Sequence, residues 1–315
     1  MTEPQARLLI ASPRGFCAGV ERAVQTVERV LARRRGPVYV RRQIVHNRAV
    51  VEGLRARGVV FVDELDEVPD GALVIFSAHG VAPAVRQEAR ARGLEVIDAT
   101  CPLVSKVHLQ VAGHARDGLP IVLIGHAGHE EVLGTMGEAP GGIHLVTRVE
   151  DVARLPLPAD GTVAYVTQTT LGVDETRQIV AALQARFPRL LAPGRDDICY
   201  ATQNRQDAVK ELAARGIGHL LVVGSPNSSN SVRLCEVGER CGVPAMLIAG
   251  AGDLPLPQLR PHPLLGLTAG ASAPEHLVRE VVECLRAEGW QPDEVVTLRE
   301  NLSFGLPAGV DGEGP

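Results

Sequence analysis

The amino-acid sequence predicts an α/β protein built from three similar units, each a parallel sheet covered by helices. Short apolar runs alternate with helical patterns along the whole chain, and the connections between them are short. Three predicted strands are each followed by a turn that contains a cysteine and then by a helix. Strand–helix–strand repetition of this kind is typical of parallel sheets with helices on their faces.

Ten segments are predicted as strands, namely 7–11, 38–41, 59–62, 73–77, 95–98, 121–125, 162–167, 220–224, 245–248 and 264–268. Eight segments are predicted as helices, namely 20–34, 49–57, 84–92, 103–117, 175–187, 204–215, 232–241 and 274–288. The longest apolar runs, such as 121–124 and 220–223, indicate buried strands.

The units are defined by a repeated order of turns. A polar turn follows each of Cys17, Cys101 and Cys199 after 28 or 29 residues, and a second polar turn follows after a longer interval. The predicted units are 18–101, 102–197, and 198–290 together with 1–17, and a flexible tail covers 301–315. Ligands bind at the carboxyl ends of parallel strands. Three such edges facing one another predict a pseudo-threefold cloverleaf around one central site.

Composition limits the possible functions. The chain has 315 residues, of which 45% are hydrophobic, so it can bury a large core. Its net charge of −5 gives no general attraction for nucleic acid or for an anionic membrane. The N-terminal residues lack the pattern of a secretory signal, and no apolar run is long enough to cross a bilayer. We therefore expect a cytoplasmic protein, in which cysteines bind metals, act in catalysis or fill the core.

The three cysteines in equivalent turns suggest a cofactor. Thiolates hold iron–sulfur clusters, and three of them leave one iron of a [4Fe–4S] cluster with an open position. Zinc remains an alternative, although its close cysteine pairs are absent from the sequence. Buried free cysteines are also common in protein cores. The remaining cysteines, Cys235, Cys241 and Cys284, lie inside helical patterns and are predicted to fill space.

The polar turns that precede helices suggest an anion site. Backbone amides at helix starts, together with imidazole, hydroxyl and amide donors, suit a doubly charged group such as a diphosphate. For a single serine or asparagine, helix capping is the alternative. Glu131 follows the middle turn and is a candidate proton donor, with Thr169 and Gln168 as supporting groups, whereas an ordinary carboxylate at a helix start is the alternative. Glu130 is adjacent and could take its place.

Ten motifs that occur in order carry a family resemblance. They are Phe16-Cys17-Ala18-Gly19, Ile44-Val45-His46-Asn47, Ser77-Ala78-His79-Gly80, Asp98-Ala99-Thr100-Cys101-Pro102, Gly125-His126-Ala127-Gly128-His129, Glu131-Val132-Leu133-Gly134-Thr135, Thr167-Gln168-Thr169-Thr170, Asp197-Ile198-Cys199-Tyr200, Gly224-Ser225-Pro226-Asn227-Ser228-Ser229-Asn230 and Thr268-Ala269-Gly270-Ala271-Ser272. Over about 7–288 the chain resembles the 4-hydroxy-3-methylbut-2-enyl diphosphate reductases of the non-mevalonate isoprenoid pathway.

The resemblance implies a function and a set of site residues. It implies the reductive removal of the substrate's allylic hydroxyl, which yields isopentenyl and dimethylallyl diphosphates. Cys17, Cys101 and Cys199 would ligate one [4Fe–4S] cluster, and Glu131 would donate the proton with support from Thr169 and Gln168. Electrons would come from a ferredoxin or flavodoxin-type donor. The diphosphate would be held by His46, His79, His129, Thr169, Ser228, Ser229, Asn230 and Ser272.

One departure from the family pattern and two alternatives remain open. The family commonly has His-Pro-Glu where this chain has His129-Glu130-Glu131. A quinolinate-synthase-like dehydratase would share the three-cysteine layout but would consume no electrons. A non-catalytic iron–sulfur sensor would not need so many anion donors. A local basic cluster, comprising Arg33, Arg34, Arg35, Arg41 and Arg42, is either a solvated surface or a docking face for an acidic electron donor.

Overall fold

A computed structural model describes residues 6–310 of the chain. The strands in this range are β1 (Arg7–Ser12), β2 (Val38–Arg41), β3 (Val59–Val62), β4 (Leu73–Phe76), β5 (Glu95–Asp98), β6 (Ile121–Ile124), β7 (Ile143–Val146), β8 (Thr162–Thr167), β9 (Arg189–Leu191), β10 (His219–Val223), β11 (Ala245–Ile248), β12 (Leu264–Ala269) and β13 (Gln291–Val296). All ten predicted strands are present.

The helices in the same range are α1 (Ala18–Arg33), α2 (Arg48–Ala56), α3 (Pro83–Ala91), α4 (Pro102–Arg116), α5 (Glu130–Met136), α6 (Val149–Val152), α7 (Val173–Arg186), α8 (Tyr200–Ala214), α9 (Ser229–Arg240), α10 (Leu256–Leu259) and α11 (Glu275–Ala287). All eight predicted helices are present, and most begin one to four residues earlier than predicted.

Three strands and three helices were not predicted. The helices α5, α6 and α10 have seven, four and four residues, which is too short for a clear helical period. Strand β9 has only three residues. Strand β13 contains Pro292 and three polar residues, a composition that suits only an edge strand, and it lies at the edge of its sheet.

The strands form three sheets in which every pairing is parallel. One sheet has the order β11-β10-β12-β1-β13, the second β3-β2-β4-β5, and the third β7-β6-β8-β9. The predicted fold class, three parallel-sheet α/β units, is confirmed.

The described residues form two compact units. Unit 1 contains those of Met1–Val20, His46–Gly53 and Tyr200–Leu302, and unit 2 those of Glu21–Val45, Leu54–Cys199 and Ser303–Pro315. The five-stranded sheet belongs to unit 1, whereas both four-stranded sheets belong to unit 2. The division into three domains, at 18–101, 102–197 and 198–290 with 1–17, stays a prediction.

The five-stranded sheet is buried on both faces, which explains its continuous apolar strands. Along β1, Leu8 and Ile10 contact one core, whereas Leu9 and Ala11 contact another on the opposite face. The strands of parallel sheets cannot show polar alternation when helices cover both faces. Polar turns follow the carboxyl ends of these strands.

The end of the chain was predicted to be a flexible tail over 301–315, of which 301–310 are described. No helix or strand forms in this described part. Within unit 2, Arg22 Nε donates to the Gly305 carbonyl at 2.8 Å, and the Val310 side chain is buried. These contacts hold 305–310 against unit 2, and residues 311–315 lie outside the described range.

Candidate functional site

The three cysteine turns share a backbone hydrogen bond. In each, the cysteine N–H donates to a carbonyl in the polar turn that follows a neighbouring strand of the same unit. The bonds are Cys17 to Ala271 at 3.1 Å, Cys101 to Ala78 at 3.0 Å and Cys199 to Thr169 at 3.0 Å. A helix begins at the residue after each cysteine, in α1, α4 and α8. The repeat seen in the sequence is therefore a repeat of local geometry.

The same three cysteines have side chains suited to ligation. None of them forms a disulfide, and all have intermediate exposure. Cys235 differs, because burial, with Glu239 and Glu236 adding to it, raises its pKa to about 12. Its thiol stays protonated at neutral pH and is a poor ligand.

A buried arginine supports the Cys17 turn, and nothing in the sequence predicted it. Arg205 is fully buried in unit 1, where its guanidinium donates to the Gly15 carbonyl at 2.8 Å. Its charge is balanced by Glu300, whose carboxylate lies 3.0 Å away. Tyr200 adds a further contact, since its hydroxyl accepts the Ala18 N–H at 3.3 Å.

Lys106 and Asp197 support the Cys199 turn from within unit 2. The Asp197 carboxylate is buried and accepts the Thr167 N–H at 3.1 Å and the Lys106 ammonium at 3.1 Å. Burial raises the pKa of Asp197, and the Lys106 charge opposes that rise. Lys106 also donates to the carbonyls of Arg195 and Asp196, so it fixes the loop that leads to Cys199.

Glu131 and Thr169 form the most distinctive polar pair of unit 2. The Thr169 backbone N–H donates to Glu131 Oε1 at 2.7 Å, and its hydroxyl donates to Oε2 at 3.1 Å. Both residues are buried. Burial raises the pKa of Glu131 to about 7, although the two bonds from Thr169 oppose the rise. A carboxyl group with such a pKa can give up a proton near neutral pH.

His129 lies beside Glu131 as a neutral donor. Its Nδ1 accepts the Glu131 backbone N–H at 3.2 Å, so the ring proton of the neutral form is assigned to Nε2. Burial, with help from His79 and His126, lowers the pKa of His129 to about 3. The His79 ring lies 5.9 Å from that of His129, in an edge-to-face arrangement. Two imidazoles are thus available beside a buried acid.

Glu130, the residue that departs from the family pattern, contacts His79 and not Thr169. Its Oε2 lies 3.4 Å from His79 Nδ1, and the Ser77 hydroxyl lies 3.3 Å from the same nitrogen. Glu130 is also half-buried, whereas the Glu131 side chain is buried. The two adjacent carboxylates therefore have different partners.

Gln168 orients the turn that precedes α5. Its Oε1 accepts the His126 N–H at 3.0 Å, and its Nε2 donates to the Thr170 hydroxyl at 2.9 Å. A Cβ on Gly125 would lie 2.7 Å from a Val132 methyl carbon and 3.3 Å from Gln168 Oε1, so only glycine fits there. Gln168 thus fixes the backbone around the predicted diphosphate turn.

His108 connects several of these turns and was not predicted. It lies on α4, where its Nδ1 is 2.9 Å from Glu138 and its Nε2 is buried without a described hydrogen-bond partner. The ring packs so closely that a Cβ on Gly80 would lie 3.1 Å from it, and one on Gly134 would lie 3.3 Å from it. His108 therefore supports both the His79–Gly80 turn and helix α5.

Unit 1 brings a second set of predicted residues together. The Ser272 hydroxyl donates to the His46 carbonyl at 2.9 Å, and its oxygen lies 3.3 Å from the Ser228 hydroxyl oxygen. The Asn230 Oδ1 accepts the Ala271 N–H at 2.8 Å. Ser229, half-buried, begins α9. Ser228 also caps α9 by accepting the Ser231 N–H at 3.3 Å, so its capping role is confirmed alongside its place in this cluster.

The predicted site residues therefore fall into two groups. Unit 2 holds Cys101, Cys199, His79, His129, Glu131, Gln168 and Thr169, and unit 1 holds Cys17, His46, Ser228, Ser229, Asn230 and Ser272. The group in unit 2 offers a titratable acid and two imidazoles. The group in unit 1 offers hydroxyl and amide groups.

One protein family matches the part of the chain that contains these turns. Residues 8–286 match the family model described as LytB protein. The chain belongs to the LytB family. This match covers all ten motifs and every predicted site residue.

Relatives in the LytB family are similar over nearly their whole length. The 4-hydroxy-3-methylbut-2-enyl diphosphate reductase of Hahella chejuensis is 58% identical over 306 residues, which are 96% of each chain. The reductase of the same name from Bordetella pertussis is 56% identical over 311 residues, covering 98% of this chain and 95% of that one.

Two solved structures are similar to this LytB chain. The E-1-hydroxy-2-methyl-but-2-enyl-4-diphosphate reductase of Plasmodium falciparum superposes with a TM-score of 0.95 at 39% identity, covering 98% of both chains. A second structure, of (E)-4-hydroxy-3-methyl-but-2-enyl diphosphate reductase, the terminal enzyme of the non-mevalonate pathway, gives a TM-score of 0.65 at 32% identity. It covers 90% of this chain and 99% of the other.

Among the described residues, 6–310, none of the helices combines the length and the apolar character that crossing a bilayer requires.

Proposed function

We propose that this LytB chain reduces 4-hydroxy-3-methylbut-2-enyl diphosphate to isopentenyl and dimethylallyl diphosphates, the last step of the non-mevalonate isoprenoid pathway. The observation that carries the proposal is the buried Glu131–Thr169 pair beside His129, in a chain whose relatives are reductases of that name over 95% or more of their length. The chemistry replaces a hydroxyl group by hydrogen, which consumes two electrons and two protons and releases water.

The cofactor in this proposal is one [4Fe–4S] cluster held by Cys17, Cys101 and Cys199, with the fourth iron open. The donor set fits such a cluster, because all three residues are cysteines outside any disulfide and each directly precedes a helix. When bound, the cluster supplies the electrons of the reaction one at a time. Asp197 and Arg205 act indirectly, by fixing the turns of Cys199 and Cys17.

The diphosphate is bound by imidazole, hydroxyl and amide donors in this proposal. His129 donates through Nε2, because its Nδ1 already accepts the Glu131 N–H. His46, His79, Ser228, Ser229, Asn230 and Ser272 supply further donors. Such contacts lie away from the bond that breaks, so their role is to orient the allylic carbon for reduction.

Glu131 delivers the proton that leaves with the hydroxyl group. Its raised pKa of about 7 keeps a substantial fraction protonated at neutral pH. Thr169 holds both carboxylate oxygens and so fixes the direction of transfer, and it adds a contact to the substrate. Gln168 positions the turn at His126 in support. The second proton ends on carbon.

Electrons come from a separate ferredoxin or flavodoxin-type carrier in this proposal, because the sequence shows no flavin or nicotinamide fingerprint. We also propose a cytoplasmic location. Cysteines outside disulfides persist in reducing compartments, and none of the six cysteines, which all lie within residues 6–310, forms a disulfide.

Anaerobic turnover with a reduced one-electron dye tests this function, on protein whose iron content is assayed first. We expect dye oxidation together with isopentenyl and dimethylallyl diphosphates as products. Turnover without dye oxidation would instead identify a dehydratase. Protein that contains about four irons but converts no substrate would identify a sensor.

A further inference from the structure

A large groove in unit 2 borders two of the cysteine turns. Its volume is about 920 Å³, and Thr100 and Pro102, the neighbours of Cys101 in the chain, line it. Gly194 and Arg195, from the loop that leads to Cys199, line its other side. None of these groove residues belongs to the diphosphate or proton-transfer groups described above.

Positive charge borders this groove. Arg22 lines it and donates to the neutral carbonyls of Thr100 at 3.0 Å and Gly305 at 2.8 Å. Burial lowers the pKa of Arg22, and the neighbouring Cys101 and Asp98 oppose that shift. Arg195 is exposed, and no described residue forms an ion pair with it. Asp98, the one carboxylate in the lining, pairs with Arg86, and the third lining cation, Lys106, pairs with Asp197. The groove therefore presents two cations, Arg22 and Arg195, that form no direct ion pair with a described residue.

An exposed apolar side chain lies in the same groove. Leu109, on α4, has 73% of its surface exposed, the largest fraction among the exposed large hydrophobic side chains of residues 6–310. A single exposed leucine is common on protein surfaces, but beside the cations of this groove it can add apolar contact area to an interface.

The basic cluster singled out in the sequence is a weaker candidate for such a surface. Arg34 pairs with Glu95, and both Arg41 and Arg42 pair with Glu64. Charges that are already neutralised attract an acidic partner less strongly. The groove combines unpaired charge, exposed apolar surface and proximity in the chain to two proposed cluster ligands. The arginine cluster does not combine these three features.

We propose that this groove, lined by Arg22, Leu109 and Arg195, is the docking site of a small acidic one-electron carrier protein. The proposal rests on the reductase function proposed above. Electron transfer weakens steeply with distance, so a carrier must dock beside the ligands of the centre it reduces. Complexes of electron carriers are small and are steered by complementary charge, which a groove of this kind provides.

Two substitutions at exposed positions test the surface, namely Leu109→Asp and Arg195→Glu. Neither side chain belongs to the proposed cluster or substrate site. Arg35→Glu, at an exposed position of the basic cluster, is the matched control for charge reversal. Each variant is assayed with a small acidic [2Fe–2S] ferredoxin as donor and, separately, with a reduced dye, which needs no docking surface. Binding of the oxidised ferredoxin is measured by calorimetry at two salt concentrations.

We expect both groove variants to raise the KM for ferredoxin by about tenfold or more and to weaken its binding by a similar factor. Turnover with dye should stay at the wild-type rate. Binding to the wild-type protein should weaken as salt rises, and Arg35→Glu should resemble wild type.

Three results would overturn the docking proposal. The first is unchanged ferredoxin binding in both groove variants, and the second is a loss confined to Arg35→Glu. The third is a change of molecular mass in solution for Leu109→Asp, which would identify the groove as a contact between copies of this chain. Loss of turnover with the dye in the wild-type protein would refute the reductase function instead, so the two failures are distinguishable.

Discussion

Thr169 donates hydrogen bonds to both carboxylate oxygens of Glu131, from its backbone N–H at 2.7 Å and its hydroxyl at 3.1 Å. The same residue's carbonyl accepts the Cys199 N–H at 3.0 Å. One threonine thus connects the proposed proton donor with a proposed cluster ligand. This relationship fixes the two groups relative to each other within unit 2.

Replacing Glu131 by Gln should abolish most turnover without weakening substrate binding. Glutamine keeps the size of the side chain but removes the transferable proton, so we expect kcat to fall by about 10²–10⁴-fold. Turnover with dye and the substrate dissociation constant check this. Glu130→Gln is the matched control, since its partner is His79 and not Thr169. A larger loss of kcat in Glu130→Gln would identify Glu130 as the proton donor instead of Glu131.

The pH dependence of turnover should report the same carboxyl group. Because burial raises the Glu131 pKa to about 7 and the protonated form is the active one, kcat/KM should fall as pH rises above about 7. His79 opposes the upward shift of this pKa, and Asp197 adds to it. In Thr169→Val, one bond to the charged form is lost, so the falling limb should move up by roughly one pH unit. If the falling limb does not move in that variant, the titration of Glu131 does not cause it.

The linkage of this pKa to stability has a definite sign. The folded-state pKa of Glu131 lies above 4.5, the ordinary value for a glutamate side chain, so its contribution to the free energy of unfolding is present in full below pH 4.5. It is lost as pH rises through about 7. The free energy of unfolding of wild type minus that of Glu131→Gln should therefore decrease between these pH values, as urea unfolding would measure.

The cluster ligands are testable without activity. Cys17→Ser, Cys101→Ser and Cys199→Ser should each lose the iron and the visible absorption of the reconstituted protein. Cys235→Ser, the control, should retain both, because burial keeps that thiol protonated. Full iron content in Cys101→Ser would reject the assignment of the three ligands.

Breaking the buried ion pair of unit 1 should lower the free energy of unfolding strongly. Glu300→Ala leaves the Arg205 guanidinium buried without its charge partner, and we expect a loss of about 3 kcal/mol in the free energy of unfolding. Glu283→Ala is the control, since its pair with Arg286 is exposed and should be worth less than about 1 kcal/mol. Equal unfolding midpoints for the two variants would contradict this.

His108 should act as a positioning residue. His108→Ala removes the ring that packs against Gly80 and Gly134, so we expect substrate affinity to fall by about tenfold, or ~1.4 kcal/mol. Iron content should stay constant, and Leu109→Ala on the same helix should change neither quantity in the dye assay. If KM is unchanged and only kcat falls, His108 does not act by supporting the His79 turn.

Local patterns in the sequence were sufficient for the ten predicted strands, the eight predicted helices and the repeated cysteine turns. Apolar runs and helical periods are properties of neighbouring residues, so they can be read before the chain folds. The family resemblance added the proposed roles of Cys17, Glu131 and Ser228 in the same way, because motifs are contiguous. The short helix α5 escaped prediction, since seven residues give too little periodicity.

Tertiary structure alone decided which distant groups meet. Glu131 and Thr169, which are 38 positions apart, form two hydrogen bonds, and the burial of Glu131 in the fold raises its pKa to about 7. Likewise, Arg205 meets Glu300, and the His108 ring packs against Gly80, through contacts that no local period encodes. The sequence determined the chemical groups and the elements that carry them. Packing determined their partners, because burial and hydrogen bonding depend on every element around a site.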